Sequence, residues 1–152
     1  MNMILNELLT KQNIITKIEL KDGEKELSKE LKVKIMRIRL AYNKVKKSFD
    51  EDVKEFVEQI ATDEYKQLAQ IAERSEEQEN RYNELTVQIN NDYIEFVNQK
   101  GNEEVSEPVD DKITEEEYNE ILDINSGNDV EINGNKVKAA DLLEVFYELF
   151  VA

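Results

Sequence analysis

The stretch that decides the fold runs from Leu27 to Ile60 and reads LSKELKVKIMRIRLAYNKVKKSFDEDVKEFVEQI. Its apolar residues recur every three or four positions, which is the spacing of one face of an α-helix, whereas a strand would place them on both faces. We call this set the seam, and its members are Leu27, Leu31, Ile35, Ile38, Tyr42, Val45, Phe49, Val53, Phe56 and Ile60. A helix of roughly 50 Å needs a packing partner in water, so we expect the rest of the chain to supply one.

A second periodic block matches the seam in length and runs from Tyr65 to Phe96. The simplest arrangement is an antiparallel helical hairpin in which the two blocks pack face to face. Two positions compete for its turn. One lies near Thr62, where a capping residue precedes two acids, and the other lies near Ser75, at the start of a polar interval.

Shorter elements are predicted before this hairpin. Residues 3–12 have apolar residues at helical spacing, which predicts a short amphipathic helix. From Ile14 to Leu20 the apolar residues alternate with polar ones, which predicts a half-buried strand. The pair Asp22 and Gly23 then predicts a turn that leads into the long helix.

After the hairpin, residues 101–113 hold the only proline among many acids and are predicted to be a linker. The sequence Thr114-Glu115-Glu116-Glu117 has the capping-box form and opens a helix. Val130–Val137 is predicted to be a two-residue β-hairpin around Asn133-Gly134, with Val130 facing Val137. Asp141 is predicted to cap a last helix.

The predicted fold is therefore mainly α, with a long antiparallel helical hairpin and a small α/β C-terminal part that consists of a β-hairpin and a terminal helix. We expect a single domain over residues 1–152. Its parts are an N-terminal helix and strand at 1–26, the helical hairpin at 27–100, the acidic linker at 101–113, and the helix, β-hairpin and C-terminal helix at 114–152.

Composition limits the classes of function. The 152 residues carry a net charge of −15, which disfavours general binding to DNA or to an anionic membrane surface. No apolar run reaches the 18 or more residues of a membrane span, and the N-terminus lacks the pattern of a signal peptide. We therefore expect a soluble protein without a membrane partner, and the charge disfavours a nucleic-acid partner.

Catalytic chemistry is poorly supported. The chain has no histidine, no cysteine and no glycine-rich phosphate loop, so we expect no enzyme, no catalytic residues and no cofactor. The segment Asp123–Asp129 begins like a calcium loop, but Asn128 stands where a glycine is needed and Gly134 where a bidentate glutamate is needed. We interpret this segment as a polar turn and expect no metal site.

Charge is concentrated on the long helix. Between Lys29 and Lys47 there are eight bases against one acid, a local net charge of 8 − 1 = +7, so the other 133 residues sum to −22. These bases, which we call the basic ridge, lie opposite the seam. Three interpretations of the ridge are open. It is a solvated face that also attracts the chain's own acidic linker, it is a docking surface for an acidic protein, or it contacts nucleic acid. Lys34, Arg37 and Lys44 are the candidate partner-binding residues, and reversing their charge is expected to keep the fold.

The last helix has more apolar residues than one face can hold, since seven of the ten residues from Leu142 to Val151 are apolar. It is therefore either deeply buried in the core or offered to another chain, which makes self-association an open alternative. In the second case Phe146 and Phe150 are the candidate partner-binding residues.

The order of elements resembles an uncharacterised family of short tailed-phage proteins found among structural and assembly genes. The resemblance rests on the short N-terminal helix, the basic start Leu31–Ile38, the acidic continuation Phe49–Asp52 and the Thr114–Tyr118 helix start. It implies a non-enzymatic virion-assembly protein or minor virion component that contacts other phage or host proteins, in the virion or the host cytoplasm. The alternatives are an acidic phage inhibitor of a host defence or nucleic-acid enzyme, and a bacterial adaptor.

Overall fold

The computed structural model describes residues 2–109, 111–127 and 129–152. It confirms the mainly α class, with 69% of the residues helical. The helices of the described residues are α1 (Leu5–Lys17), α2 (Lys29–Ile60), α3 (Asp63–Gln70), α4 (Glu76–Gly101), α5 (Glu115–Asn125) and α6 (Ala139–Phe150). The strands are β1 (Asn2–Ile4), β2 (Lys21–Asp22), β3 (Lys25–Glu26), β4 (Glu104–Ser106), β5 (Val130–Ile132) and β6 (Asn135–Val137). They form three two-stranded sheets, β1 with β4, β2 with β3, and β5 with β6.

The chain forms two compact units. The first comprises Met1–Lys46 and Val105–Ala152, and the second comprises Lys47–Glu104. The boundary falls inside α2, so the two halves of the seam belong to different units. The single domain that the sequence predicted stays a prediction.

In the first unit the seam packs against partners that the sequence did not identify. Leu31, Ile35, Ile38 and Tyr42 are buried in one core cluster with apolar residues of α1, α5 and α6. The Tyr42 ring meets the Phe150 ring edge-on, at a centroid distance of 6.2 Å and an angle of 87°. A hairpin packed face to face along the whole seam is therefore wrong for this half of α2.

The second unit contains the antiparallel pairing that the sequence predicted. The Phe56 and Phe96 rings stack at a centroid distance of 4.0 Å, and Lys100 Nζ lies 3.0 Å from Asp52 Oδ2. Both candidate turn positions break the helix here. The Thr62 side chain caps α3, while a capping box at Ser75 opens α4.

The predicted strand at Ile14–Leu20 is wrong, because α1 continues to Lys17. The alternating pattern omitted Ile15, which is fully buried and lies on the same helical face as Leu8, seven residues earlier. At and just beyond the end of α1 the backbone is held by distant side chains. Arg39 donates to the carbonyls of Ile15 and Ile18.

The buried Asn125 side chain holds the next residue of this segment. Its Oδ1 accepts from Glu19 N at 2.8 Å, and its Nδ2 donates to Glu19 O at 3.1 Å and to Ile121 O at 3.0 Å. All three bonds satisfy polar groups that would otherwise be costly to bury. The extended residues after α1 are therefore paired with a side chain of α5.

The C-terminal part follows the sequence more closely. The Thr114 capping box is present, and the β-hairpin has the predicted register of Val130 opposite Val137. Asn133 and Gly134 have φ values of 52° and 79°, as a type I′ turn requires. One correction concerns α6, which starts at Ala139, so Asp141 lies in its first turn and is not its cap.

A second correction concerns the linker, because its residues Glu104–Ser106 form β4. The sheet that β4 makes with β1 ties the start of the first unit's C-terminal segment to its N-terminus. Val105 packs against the core cluster, which gives this otherwise acidic segment an apolar anchor.

Replacing Gly134 by valine tests the hairpin turn. We expect Gly134→Val to lower the free energy of unfolding by about 1–2 kcal/mol, because a residue with a Cβ is strained at positive φ. The matched control is Gly127→Val, since neither added Cβ meets another atom within 4 Å and Gly127 has no positive φ. Urea unfolding followed by circular dichroism measures both variants. Equal midpoints would contradict the turn assignment.

Candidate protein-binding surface

Two of the predicted partner-binding residues are paired within the chain. Lys34 Nζ lies 2.8 Å from Glu117 Oε1, and Arg37 Nη1 lies 3.1 Å from Asp111 Oδ2. The basic ridge thus attracts the chain's own acids, as one of its three interpretations stated. Burial raises the pKa of Glu117, but the hydrogen bonds from Lys34 and Thr114 and the charge of Lys34 together outweigh it, and the pKa is lowered overall.

The Lys34 pair corrects the expectation that charge reversal on the ridge keeps the fold. The same Glu117 oxygen that Lys34 contacts also accepts from Thr114 N at 2.9 Å and so completes the cap of α5. A glutamate at position 34 would set two half-buried carboxylates against each other at this helix start. Lys34 is therefore a structural residue.

Other ridge residues remain available to a partner. Lys29 and Lys44 are exposed, and no carboxylate of the described residues lies within salt-bridge distance of either. Arg37 also stays largely exposed beside Asp111. Lys29, Arg37 and Lys44 therefore face solvent on this side of α2.

An apolar stripe accompanies these cations. Val33, Met36 and Leu40 are 49%, 51% and 69% exposed, and their spacing of three and four residues places them on one face of α2, opposite the buried seam. We define the outer face of α2 as this stripe with Lys29, Arg37 and Lys44. Sequence analysis missed the stripe because the seam accounted for the helical period, although the same spacing is visible at these three positions.

The two phenylalanines proposed for partner binding are core residues. Phe146 is 0% exposed and Phe150 is 6% exposed. Their rings stack on each other at a centroid distance of 5.0 Å, and Phe146 also stacks on Tyr118 at 6.2 Å. The sequence left two alternatives for the last helix, burial in the core or contact with another chain. For the side chains of Phe146 and Phe150 the structure shows burial in the core.

The side of α6 that adjoins α5 does offer an apolar surface. A groove of 580 Å³ lies between α5 and α6. We call it the α5–α6 groove, and its lining residues are Tyr118, Leu122, Ser126, Ala140, Leu143, Glu144, Tyr147, Glu148 and Ala152. The Tyr118 hydroxyl donates to Leu143 O at 2.9 Å, and the Tyr147 hydroxyl donates to Glu115. These bonds fix the two rings, which meet at a centroid distance of 5.0 Å, while Glu144 and Glu148 make the rim acidic.

A second cavity, of 390 Å³, contains a half-buried ionic cluster. Lys11 Nζ lies 2.6 Å from Glu107 Oε1, and the Tyr42 hydroxyl donates to the same oxygen at 3.3 Å. Lys11 Nζ also lies 5.2 Å from the centroid of the Phe150 ring. The ammonium group is thus held by a carboxylate and an aromatic face.

The charges of this cluster oppose acid–base chemistry near neutral pH. Burial and the charge of Glu107 raise the pKa of Tyr42. Burial raises the pKa of Glu107, but its hydrogen bond and charge interaction with Lys11 prevail and lower it. The tyrosine stays protonated and the carboxylate stays ionised, so neither has a pKa suited to general catalysis. We interpret the cluster as a structural link between α1, α2 and the segment after β4.

In residues 2–109, 111–127 and 129–152, no three acidic side chains lie close enough together to hold a metal ion. Among the helices of these residues, none combines the length and apolar character that crossing a membrane requires. Asp129, from the segment that resembled a calcium loop, accepts from Ala139 N at 3.2 Å. Asn128 of that segment lies outside the described residues.

Comparison of the chain with protein-family models, curated proteins and solved structures finds no significant match. The candidate site therefore rests on the geometry above. Its strongest feature is the outer face of α2, where apolar and cationic side chains lie together in solvent.

Neutralising Lys34 and Lys44 separately tests their different roles. We expect Lys34→Gln to lower the free energy of unfolding by about 1–3 kcal/mol at pH 7, because a half-buried carboxylate loses its partner. The control Lys44→Gln should stay within about 0.5 kcal/mol of wild type. Both are measured by urea unfolding.

The Lys34 effect should depend on pH. The pKa of Glu117 is lower in the folded chain than in the unfolded chain, where it is about 4.3. The ion pair therefore stabilises the fold fully above the unfolded-state pKa, and this stabilisation is lost as the pH falls through the folded-state pKa. The difference between Lys34→Gln and wild type should therefore shrink below about pH 4. A difference that is the same at pH 7 and pH 3 would contradict the ion-pair assignment.

Proposed function

We propose that this protein acts by protein–protein contact, without catalysis, in the assembly of a tailed-phage particle or as a minor component of that particle. The observation that carries the proposal is the outer face of α2. Leu40, the most exposed residue of the apolar stripe, is 69% exposed although it lies well inside a long helix that packs closely on its other side.

The spacing of this face suits a helix that docks into a groove. Val33, Met36 and Leu40 follow the i, i+3, i+7 pattern by which amphipathic helices anchor in apolar grooves. A set of neighbouring exposed apolar side chains, bordered by charged ones, is typical of a contact surface, whereas single exposed apolar residues are ordinary.

The charges beside the stripe select the partner. Lys29, Arg37 and Lys44 would attract an acidic surface and disfavour a basic one. Nucleic acid is a poorer candidate, because the chain as a whole carries −15 and no exposed aromatic ring lies in the outer face to stack on a base. The phage setting rests on the resemblance in the order of elements.

Site-specific cross-linking in the native source tests the proposal. A photoreactive benzophenone residue at position 40 should cross-link to a protein that is present in purified particles. The matched control is the same residue at Val87, which is 59% exposed on α4. Absence of the chain from particles, or equal cross-linking from both positions, would contradict the proposal. Cross-links to nucleic acid that nuclease removes would show that the face binds phosphates.

A second candidate function has support from the second unit. Residues 47–104 contain sixteen acids and six bases, a net charge of 6 − 16 = −10, which suits an acidic inhibitor that occupies the basic groove of a host enzyme. Timing and location distinguish the two functions. An inhibitor is expressed early and is absent from particles, whereas an assembly protein is expressed late.

A further inference from the structure

We propose that the outer face of α2 in one copy of the chain docks into the α5–α6 groove of a second copy. This inference rests on the proposed function and names the partner of the same face. Both surfaces belong to the first unit, and they are different parts of it, so one copy can offer a face while its own groove receives another.

The two surfaces match in apolar character. The face presents the aliphatic side chains of Val33, Met36 and Leu40 as a ridge. The groove presents Leu122 and Ala140 beside the rings of Tyr118 and Tyr147, which meet edge-on at a centroid distance of 5.0 Å. A convex stripe in a concave site buries more apolar area than it would on a flat surface, and that area drives association.

They also match in charge. The face is bordered by Lys29, Arg37 and Lys44, and the groove is bordered by Glu144 and Glu148. A basic convex surface and an acidic concave one on the same chain are complementary, and pairing either with itself would bring like charges together. The charges therefore favour contact between the outer face of one copy and the α5–α6 groove of another, and they disfavour contact between two outer faces.

Their lengths agree as well. From Val33 to Leu40 the helix rises by roughly 10 Å, and from Tyr118 in α5 to the C-cap residue Ser126 the chain rises by roughly 12 Å, at about 1.5 Å per residue. The small side chains of Ser126 and Ala140 also line the groove and leave room for a bulky one. The apolar stripe thus fits within the length of the groove.

The interface joins two different surfaces, so it is heterologous and each dimer retains a free face and a free groove. Both surfaces are small, and contacts of that size are typically weak and transient. We therefore expect association that depends on protein concentration and grows beyond the dimer.

Another apolar stripe is excluded as the occupant of the groove. Val87 and Ile94 are exposed seven residues apart on α4, but Glu84 and Glu95 lie close to them on the same helix. Such a surface would bring carboxylates against the acidic rim of the groove, which is unfavourable. It provides a control surface of similar exposure.

Sedimentation of the full chain with paired variants tests the inference. Leu40→Glu disables the face, and Glu144→Lys with Glu148→Lys disables the rim of the groove. At about 0.15 M salt, where charges beyond roughly 8 Å are screened, the wild-type average mass should rise above 17.8 kDa as concentration increases towards 1 mM. Each variant alone should remain at 17.8 kDa, with an unchanged circular dichroism spectrum.

Mixing the two variants gives the decisive result. The groove variant still has a wild-type face, and Leu40→Glu still has a wild-type groove, so the mixture should form a 1:1 dimer and nothing larger. The control Val87→Glu should associate like wild type. A monomeric wild type, a mixture that does not associate, or loss of association in the control would each overturn the inference. If the wild type is monomeric but position 40 cross-links to a different particle protein, the proposed function stands without this inference.

Discussion

The structure depends on the burial of the N-terminal half of α2. Leu31, Ile35, Ile38 and Tyr42 are almost completely removed from solvent, and each contributes about 1.5–3 kcal/mol through that burial before entropy is counted. Because α1, α5 and α6 all pack against this one helical face, its position determines theirs. The same packing turns Val33, Met36 and Leu40 outward, and it sets α6 beside α5 so that a groove forms between them.

Features with a local cause could be predicted from the sequence. The capping box at Thr114 and the turn at Asn133-Gly134 depend on residues a few positions apart, and both are present. The period of the seam correctly predicted a long helix, but a period does not identify the partner of a face. The first half of the seam packs against α1, α5 and α6, and the second half lies in the unit where Phe56 stacks on Phe96. The strand prediction was wrong because apolar residues four positions apart, such as Ile14 and Ile18, fit both the period of a strand and that of a helix. Only the buried Ile15 distinguishes the two structures, because in a strand it would lie on the opposite face.

The candidate site could be predicted only in part, because the role of each of its residues depends on which distant residue, if any, it contacts in the folded chain. Lys34, Arg37 and Lys44 look alike in the sequence, yet Lys34 supports a helix cap 83 residues away and Lys44 remains exposed. Net charge pointed to the helix, and to the side of it, that carry the proposed face. The spacing of the apolar stripe could be read from the sequence. Its exposure could not, because it depends on which face of α2 is covered by α1, α5 and α6. The same reasoning applies to the groove, which exists only once α5 and α6 have been brought together.

The accessibility of single cysteines along α2 tests the central claim most directly, since the chain has no native thiol. Cysteine is placed at positions 36 and 40 on the outer face and at positions 35 and 38 on the buried seam, and each variant is treated with a thiol reagent at micromolar protein concentration. The account predicts that the outer-face thiols react nearly as fast as in urea, whereas the buried thiols react at least tenfold more slowly, a protection of about 1.4 kcal/mol or more. Equal rates at all four positions, or faster labelling at 35 and 38, would contradict the two-faced helix on which the fold and its proposed function depend.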